Sequence, residues 1–152
     1  MSEAVAAVVG RADLAVFAAA VSDYRPSHPD AAKLKKEEAG AEPTLSLTRN
    51  PDVALESREA RKPGSVAVGF ALETDDVLAH ARSKLEKKGF DLIVANDATD
   101  EGAGFAVETN RVTILDGDGG AEELPLLSKE QVAEEILDRA QALMSPAAES
   151  GA

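Results

Sequence analysis

Three short apolar runs constrain the fold of this chain more than any other feature. They cover residues 14–21, 65–71 and 91–95 and contain almost only Ala, Val, Leu, Ile and Phe. Runs of this length are typical of strands buried on both faces of a sheet. A polar stretch predicted as a loop (22–43), an alternating segment predicted as a strand (44–48) and a helical pattern separate the first two runs, and a second helical pattern separates the last two. This order predicts an α/β fold: a Rossmann-like parallel sheet with flanking helices and right-handed crossovers.

Start and stop signals place the helices. Asn50 as N-cap, followed by Pro51 and Asp52, predicts a helix that runs to about residue 61. Thr74 predicts the cap of a long helix that ends at Lys88, just before a glycine. A capping box from Ser128 opens an amphipathic helix over residues 128–144. Its predicted buried face comprises Val132, Ile136, Leu137, Ala140 and Leu143.

The last third of the chain predicts a small antiparallel strand extension. Short strands are expected at residues 105–107, 111–115 and 122–125, with turns near Thr109–Asn110 and at 116–120. We expect one domain over residues 1–145 and a disordered tail over 146–152.

Composition excludes several classes of protein. The 152 residues include no cysteine, which rules out disulfides, cysteine-ligated zinc, iron–sulfur clusters and thiol catalysis. A net charge of −12 argues against nucleic-acid binding, because neutralising phosphates needs an excess of Lys and Arg. No apolar run approaches the ~20 residues of a membrane span, and the expected location is the cytoplasm.

The lysines are clustered. Of eight, three lie at residues 33, 35 and 36 and three at 84, 87 and 88. Lys84 and Lys88 are four residues apart and share the sheet-facing side of the long helix, whereas Lys87 points to water. They either reach over a site at the strand ends or simply complement the helix dipole. The loop cluster is either an arm that closes over phosphates or a solvated charge run.

Other candidates follow the predicted strands. The N–H groups of Asp52, Val53 and Ala54 would face an anion at the start of the helix, unless this is an ordinary helix start. Asp23 suits a metal, a base or a ribose, or it caps a turn. Phe70 would stack on a base or fill the core. Two histidines, at 28 and 80, are interpreted as surface residues.

In order, six motifs resemble a known family. They are AAAVSDYRP (18–26), KLKK (33–36), NPDV (50–53), VGFALET (68–74), KLEKK (84–88) and DLIVAND (91–97). They resemble the C-terminal part of phosphopantothenate–cysteine ligase, the synthetase half of a bifunctional coenzyme A biosynthesis protein. The likeness extends from about residue 13 to residue 143.

The resemblance implies a ligase that joins 4′-phosphopantothenate to L-cysteine. CTP would activate the acid as an acyl-cytidylate, with Mg²⁺ (or Mn²⁺) present; no metal ligands are assigned. Lys33 would be the catalytic lysine of a mobile loop. The implied nucleotide-binding residues are Ala19, Asp23, Lys33, Asp52, Val53, Ala54, Leu55, Phe70, Lys84 and Lys88.

The resemblance also sets expectations about completeness and partners. The family's Gly-rich N-terminal segment is missing, and FMN would belong only to the decarboxylase half, which is absent. We therefore expect a fragment that is inactive alone, and a homodimer with contacts in the strands after Phe105. The alternative is a non-catalytic nucleotide-binding or dimerisation module. An oxidoreductase is disfavoured because the chain lacks a dinucleotide fingerprint.

Overall fold

The computed structural model describes residues 1–29, 42, 44–73, 75–97 and 108–145. The chain divides into two compact units. The larger consists of Met1–Ala18 with Val53–Ala152, and the smaller is Ala19–Asp52.

The described helices and strands are numbered in chain order. They are α1 Ser2–Ala6, β1 Leu14–Phe17, β2 Tyr24–Pro26, β3 Leu47–Arg49, α2 Val53–Glu56, β4 Val66–Glu73, α3 Val77–Lys88, β5 Leu92–Asp97, β6 Thr109–Asn110, β7 Val112–Asp116, β8 Ala121–Glu123, β9 Leu127–Ser128 and α4 Lys129–Met144. Short 3₁₀ turns cover Val9–Arg11 and Arg58–Ala60.

Five of the described strands form the main sheet of the larger unit, in the order β1-β4-β5-β7-β8. β1, β4 and β5 run parallel, whereas β7 and β8 continue the sheet antiparallel. This confirms the predicted fold class, a parallel α/β sheet with flanking helices and a small antiparallel extension.

Strand β4 shows how the sheet separates its two faces. Val66 and Val68 point into a core covered by α4, whereas Ala67 and Ala71 point into a second core that contains Ala54 of α2 and residues of α3. Because side chains alternate along a strand, Phe70 and Leu72 lie on the α4 face and Glu73 on the α3 face. The carboxyl end of β4 therefore presents groups to both faces.

The prediction that residues 14–21 form a buried strand is wrong in extent and burial. Strand β1 ends at Phe17, and Val16 is 45% exposed. Among the described strands, β1 pairs only with β4, so it lies at the sheet edge where one side stays open. A continuous apolar run alone does not distinguish an edge strand from a central one.

The helix signals were largely correct. Gly89 ends α3 in the left-handed conformation (φ 59°), and the capping box of Ser128 and Gln131 opens α4, as predicted. However, α3 begins only at Val77, with Asp76 as N-cap. Thr74, the predicted cap, lies outside the described residues.

The buried face of α4 is narrower than predicted. Val132, Ile136 and Ala140 are buried, as expected, whereas Leu137 and Leu143 are about half exposed. Helix α4 thus buries about one residue per turn against the sheet.

Two short strand pairs differ from the prediction. In the smaller unit, β2 lies inside the polar stretch 22–43, which the sequence predicts as a loop, and it pairs antiparallel with β3. The strand predicted over residues 44–48 is found as β3, shifted to Leu47–Arg49. In the larger unit, Thr109–Asn110 is not a turn but strand β6, which pairs with β9. Residues 105–107 and 146–152, predicted as a strand and a disordered tail, lie outside the described part of the chain.

Candidate functional site

Glu73, the last residue of β4, gathers two basic side chains of α3. One carboxylate oxygen accepts a hydrogen bond from Lys84 Nζ, and the other lies 3.6 Å from His80 Nδ1. The Glu73 side chain is only 16% exposed, whereas Lys84 is 41% exposed. The carboxyl end of a parallel strand, where ligands bind in open α/β sheets, thus carries a paired lysine.

His80, Lys84 and Lys88 follow one another at intervals of four along α3, and we call them the lysine flank. Lys84 and Lys88 are partly buried and Lys87 is exposed, which confirms the predicted orientation of these three lysines. The opposite flank of α3 carries Arg82, which donates to the backbone carbonyls of the turn between β7 and β8. The lysine flank therefore faces the other way, toward the β1 side of the sheet.

Arg61 fixes α2 to the carboxyl-terminal end of α3. Its guanidinium donates to the carbonyl oxygens of Ala54 (2.7 Å) and Gly89 (2.6 Å). It also lies 5.1 Å from the ring centroid of Phe17 and 5.4 Å from that of Phe90. Burial lowers the pKa of Arg61, and Asp91 opposes this shift. Arg61 thereby ties α2 to the end of α3 and to β1, on the side that the lysine flank faces.

The helix start at residues 52–55 differs from its prediction. α2 has four residues, a single turn followed by a 3₁₀ turn, and begins at Val53. Asn50 does not act as the predicted cap: its side chain donates to Ser22 O (2.7 Å) and accepts from Arg25 Nη1 (2.8 Å). Since the helix dipole sums over aligned peptides, one turn attracts anions less than a long helix would. Among the predicted ligand residues here, Ala54 is buried and Leu55 is exposed.

Phe70 lies on the opposite face of β4 from Glu73 and the lysine flank. It is 40% exposed, and Leu72, two residues on, is similarly exposed on the same face. Asn96 of β5 is the register partner of Leu72, and its buried Oδ1 has no hydrogen-bond partner within the described chain. A ligand that touches both Phe70 and Lys84 must therefore cross the carboxyl edge of the sheet.

The remaining predicted residues belong to the smaller unit or fall outside the description. Ala19 and Asp23 are exposed there, and Asp23 O accepts from Asn50 N (2.7 Å). Asp52, the last residue of the smaller unit, is partly buried. Lys33 lies outside the described residues, so the structure does not place the predicted catalytic lysine.

Within the described ranges, no three His, Asp or Glu side chains gather closely enough to hold a metal ion. In the same ranges, no helix is long and apolar enough to cross a membrane.

The sequence interpretation missed Glu73 and the role of His80. The i, i+4 spacing of residues 80, 84 and 88 is a usable signal that they share a flank. That Glu73 would be their acceptor depends on how the chain turns between β4 and α3. The sequence does not reveal that turn, because its left-handed residue is Asp76 (φ 41°) and not the glycine that usually marks this conformation.

The geometry defines an α/β domain in which a lysine of a helix is held by a carboxylate at the carboxyl end of a parallel strand. Residues 1–144 match the model of the DNA/pantothenate metabolism flavoprotein C-terminal domain family, and the chain belongs to that family. This confirms the family resemblance inferred from the sequence motifs.

Two relatives and one solved structure illustrate the match. The chain is 45% identical over 143 residues to the coenzyme A biosynthesis bifunctional protein CoaBC of Bacillus subtilis (strain 168), covering 94% of this chain and 34% of that protein. It is 39% identical over 137 residues to a cysteine/cysteine sulfinic acid decarboxylase of an unknown prokaryotic organism, covering 90% of this chain and 38% of that one. The crystal structure of the C-terminal domain of CoaBC is 32% identical and superposes with a TM-score of 0.73, covering 94% of this chain and 60% of that chain.

The chain thus spans little more than a third of the length of the curated relatives it matches. Their names describe proteins with much additional sequence, so each name can refer to a part that has no counterpart in the 152 residues.

Proposed function

We propose that this chain provides the nucleotide-binding part of a phosphopantothenate–cysteine ligase in coenzyme A biosynthesis. The observation that carries the proposal is the lysine flank beside the carboxyl end of β4, in a chain with a net charge of −12. Clustered ammonium groups in an acidic protein suit a small polyanion such as a nucleoside triphosphate. Membership of the family and the likeness to the C-terminal domain of CoaBC support the same assignment.

The proposed reaction brings two anions together. A carboxylate oxygen of 4′-phosphopantothenate attacks the α-phosphorus of CTP, and the bond to the pyrophosphate oxygen breaks. The amine of cysteine then attacks the acyl carbon, loses a proton and displaces CMP, which forms the amide. Lysines near the phosphates would lower the repulsion between carboxylate and triphosphate and stabilise the leaving pyrophosphate.

Each predicted residue takes a role in this proposal. Lys84 and Lys88 bind the triphosphate from α3, and Phe70 contacts the cytosine across the sheet edge. Lys33 closes over the reacting phosphates. The resemblance assigns Ala19 and Asp23 to substrate and nucleotide contacts. Backbone groups from Asp52 to Leu55 add further contacts.

A divalent ion fits the proposal as a companion of the nucleotide. Mg²⁺ is usually held by one or two carboxylates together with substrate phosphates, and less often by an all-protein cage. Homodimerisation rests on the resemblance and a cytoplasmic location on the composition of the sequence, and both stay predictions.

A chimera tests the proposed function directly. In the chimera, this chain replaces the matched 143-residue segment of the B. subtilis relative. The relative supplies the rest of its own sequence, which the match does not cover. We expect pyrophosphate release that requires CTP, 4′-phosphopantothenate and cysteine together. Lys33→Ala and Lys84→Ala should each raise the barrier by ~2–4 kcal/mol, the effect of losing one donor to a developing charge. Lys87→Ala, on the exposed side of the same helix, serves as the matched control.

Two outcomes would change the conclusion. A folded chimera that binds CTP and releases no pyrophosphate would favour the alternative, a non-catalytic nucleotide-binding module. A folded chimera that binds no CTP would refute the proposal.

A further inference from the structure

The carboxylate of Glu73 has no role in the proposed function, although it contacts a lysine that the proposal assigns to the triphosphate. A phosphate bound by Lys84 must therefore compete with a carboxylate that the protein itself provides. Removing this carboxylate would leave Lys84 without the partner that holds it at β4.

We propose that Glu73 is the positioning residue of Lys84: it holds the ammonium at the end of β4 in the free protein and exchanges it for a bound polyphosphate. The inference rests on the proposed function, because that polyphosphate is the nucleotide. Under this inference, removal of the Glu73 carboxylate should alter the affinity for the nucleotide, although Glu73 itself does not bind a phosphate.

The two partners differ in freedom of movement. Glu73 belongs to β4, which pairs with β5 up to that residue, and its side chain is largely buried. Lys84 carries its ammonium on a flexible four-carbon stem and is about two-fifths exposed. In an exchange, the carboxylate thus stays in place and the lysine moves.

His80 makes the exchange tolerable for Glu73. A carboxylate that is largely buried is costly to leave without a partner. His80 Nδ1 lies 3.6 Å from Oε2 of Glu73, while Lys84 bonds Oε1. The carboxylate therefore keeps a polar neighbour when the lysine turns to a phosphate.

Zero-length carbodiimide cross-linking of the native chain measures this pair. Activated Glu73 should form an amide with Lys84, detected by peptide mass spectrometry. CTP or inorganic triphosphate at ten times its dissociation constant should lower the yield about tenfold, because about a tenth of the protein stays free. Failure to form the cross-link would overturn the proposal. A yield that CTP leaves unchanged, while calorimetry measures CTP binding, would also overturn it.

Variants test the consequence for binding. In the chimera, Glu73→Gln should lower the KM for CTP about two- to fivefold, the scale of one partly exposed ion pair, without raising kcat. Glu73→Asp keeps the charge and should retain the native KM. Glu86→Gln removes an exposed carboxylate from the same helix and is the matched control. Equal effects of Glu73→Gln and Glu86→Gln would contradict the proposal, and the native cross-link stays decisive if Glu73→Gln does not fold.

The experiment separates the two claims. A cross-link in the native chain, together with a folded chimera that binds no CTP, would refute the proposed function and leave the positioning of Lys84 by Glu73 intact. CTP binding without the cross-link would support the proposed function and refute the positioning of Lys84 by Glu73.

Discussion

The two flanks of α3 use their cations in different ways. Arg82 on one flank donates to the backbone carbonyls of Asp116, Gly119 and Gly120. Lys84 on the other flank bonds a side-chain carboxylate at the end of β4. Backbone acceptors belong to the fold and cannot be exchanged without opening it, whereas a side-chain ion pair can be replaced by a ligand.

The same contrast holds at the carboxyl-terminal end of α3. Arg58 and Arg61 donate to the carbonyl oxygens of Lys87 and Gly89, so arginines again hold backbone. We therefore expect arginine substitutions around α3 to lower stability, and lysine-flank substitutions to change ligand binding with little effect on stability.

The largest stability effect is expected for Arg61→Ala. The substitution removes two charged hydrogen bonds to carbonyl groups and the contacts with the rings of Phe17 and Phe90. We expect a loss of ~2–4 kcal/mol in the free energy of unfolding, measured by urea denaturation. Arg61→Lys keeps the charge but cannot reach both carbonyls and should recover only part of it. A loss below ~0.5 kcal/mol would show that α2 does not depend on this residue.

The next largest loss of stability is expected for Gly69→Ala, which would push against the ring of Phe90 below Arg61. A Cβ added at Gly69 of β4 would lie 2.2 Å from Phe90 Cε2. Because Phe90 is buried, the ring cannot simply turn away, and Gly69→Ala should cost ~1–3 kcal/mol of stability through overpacking. Gly117→Ala is the matched control, since a Cβ there meets nothing within 4 Å. Equal denaturation midpoints of the two variants would contradict the packing described for this face.

The smallest stability effects set the two flanks directly against each other. Arg82→Ala should lower stability by about 1 kcal/mol, because it leaves carbonyls of the turn between β7 and β8 without their donor. Lys84→Ala should lower it by less than ~0.5 kcal/mol, as is usual for a partly exposed ion pair. Thermal unfolding of both variants checks the order. A reversed order would show that the lysine flank contributes to the fold.

Much of the main sheet and its helices was predictable from the sequence. Residues 66–68 of β4 and 92–95 of β5 are apolar and buried because both faces of the sheet are covered there, and Gly89 marks the end of α3 through its left-handed conformation. The capping box of Ser128 is similarly local and was found for that reason. Such signals need no knowledge of the rest of the fold.

The features that were missed depend on tertiary context. The exposure of Val16 arises because β1 is an edge strand, and that of Leu137 because the core that receives α4 is narrow. Strand β2 contains Pro26 and no residue that is buried, so it carries no apolar pattern. The ion pair of Glu73 with Lys84 requires the turn between β4 and α3.

Only part of the candidate site could be predicted from the sequence. The spacing of Lys84 and Lys88 predicted a shared, partly buried flank, which the structure confirms. Sequence spacing could not indicate that Phe70 and the lysine flank lie on opposite faces of the sheet, because that depends on which face α3 covers. Nor could it identify Glu73 as the acceptor.

Calorimetric titration of CTP into the native chain and two variants tests the central claim most directly. In Lys84→Ala/Lys88→Ala, the affinity should fall at least about tenfold, because each charged hydrogen bond to a phosphate contributes about 1.5–3 kcal/mol. Lys87→Ala, which removes an exposed lysine of the same helix, should bind as the native chain does. A double variant that folds and binds CTP as tightly as the native chain would contradict the account.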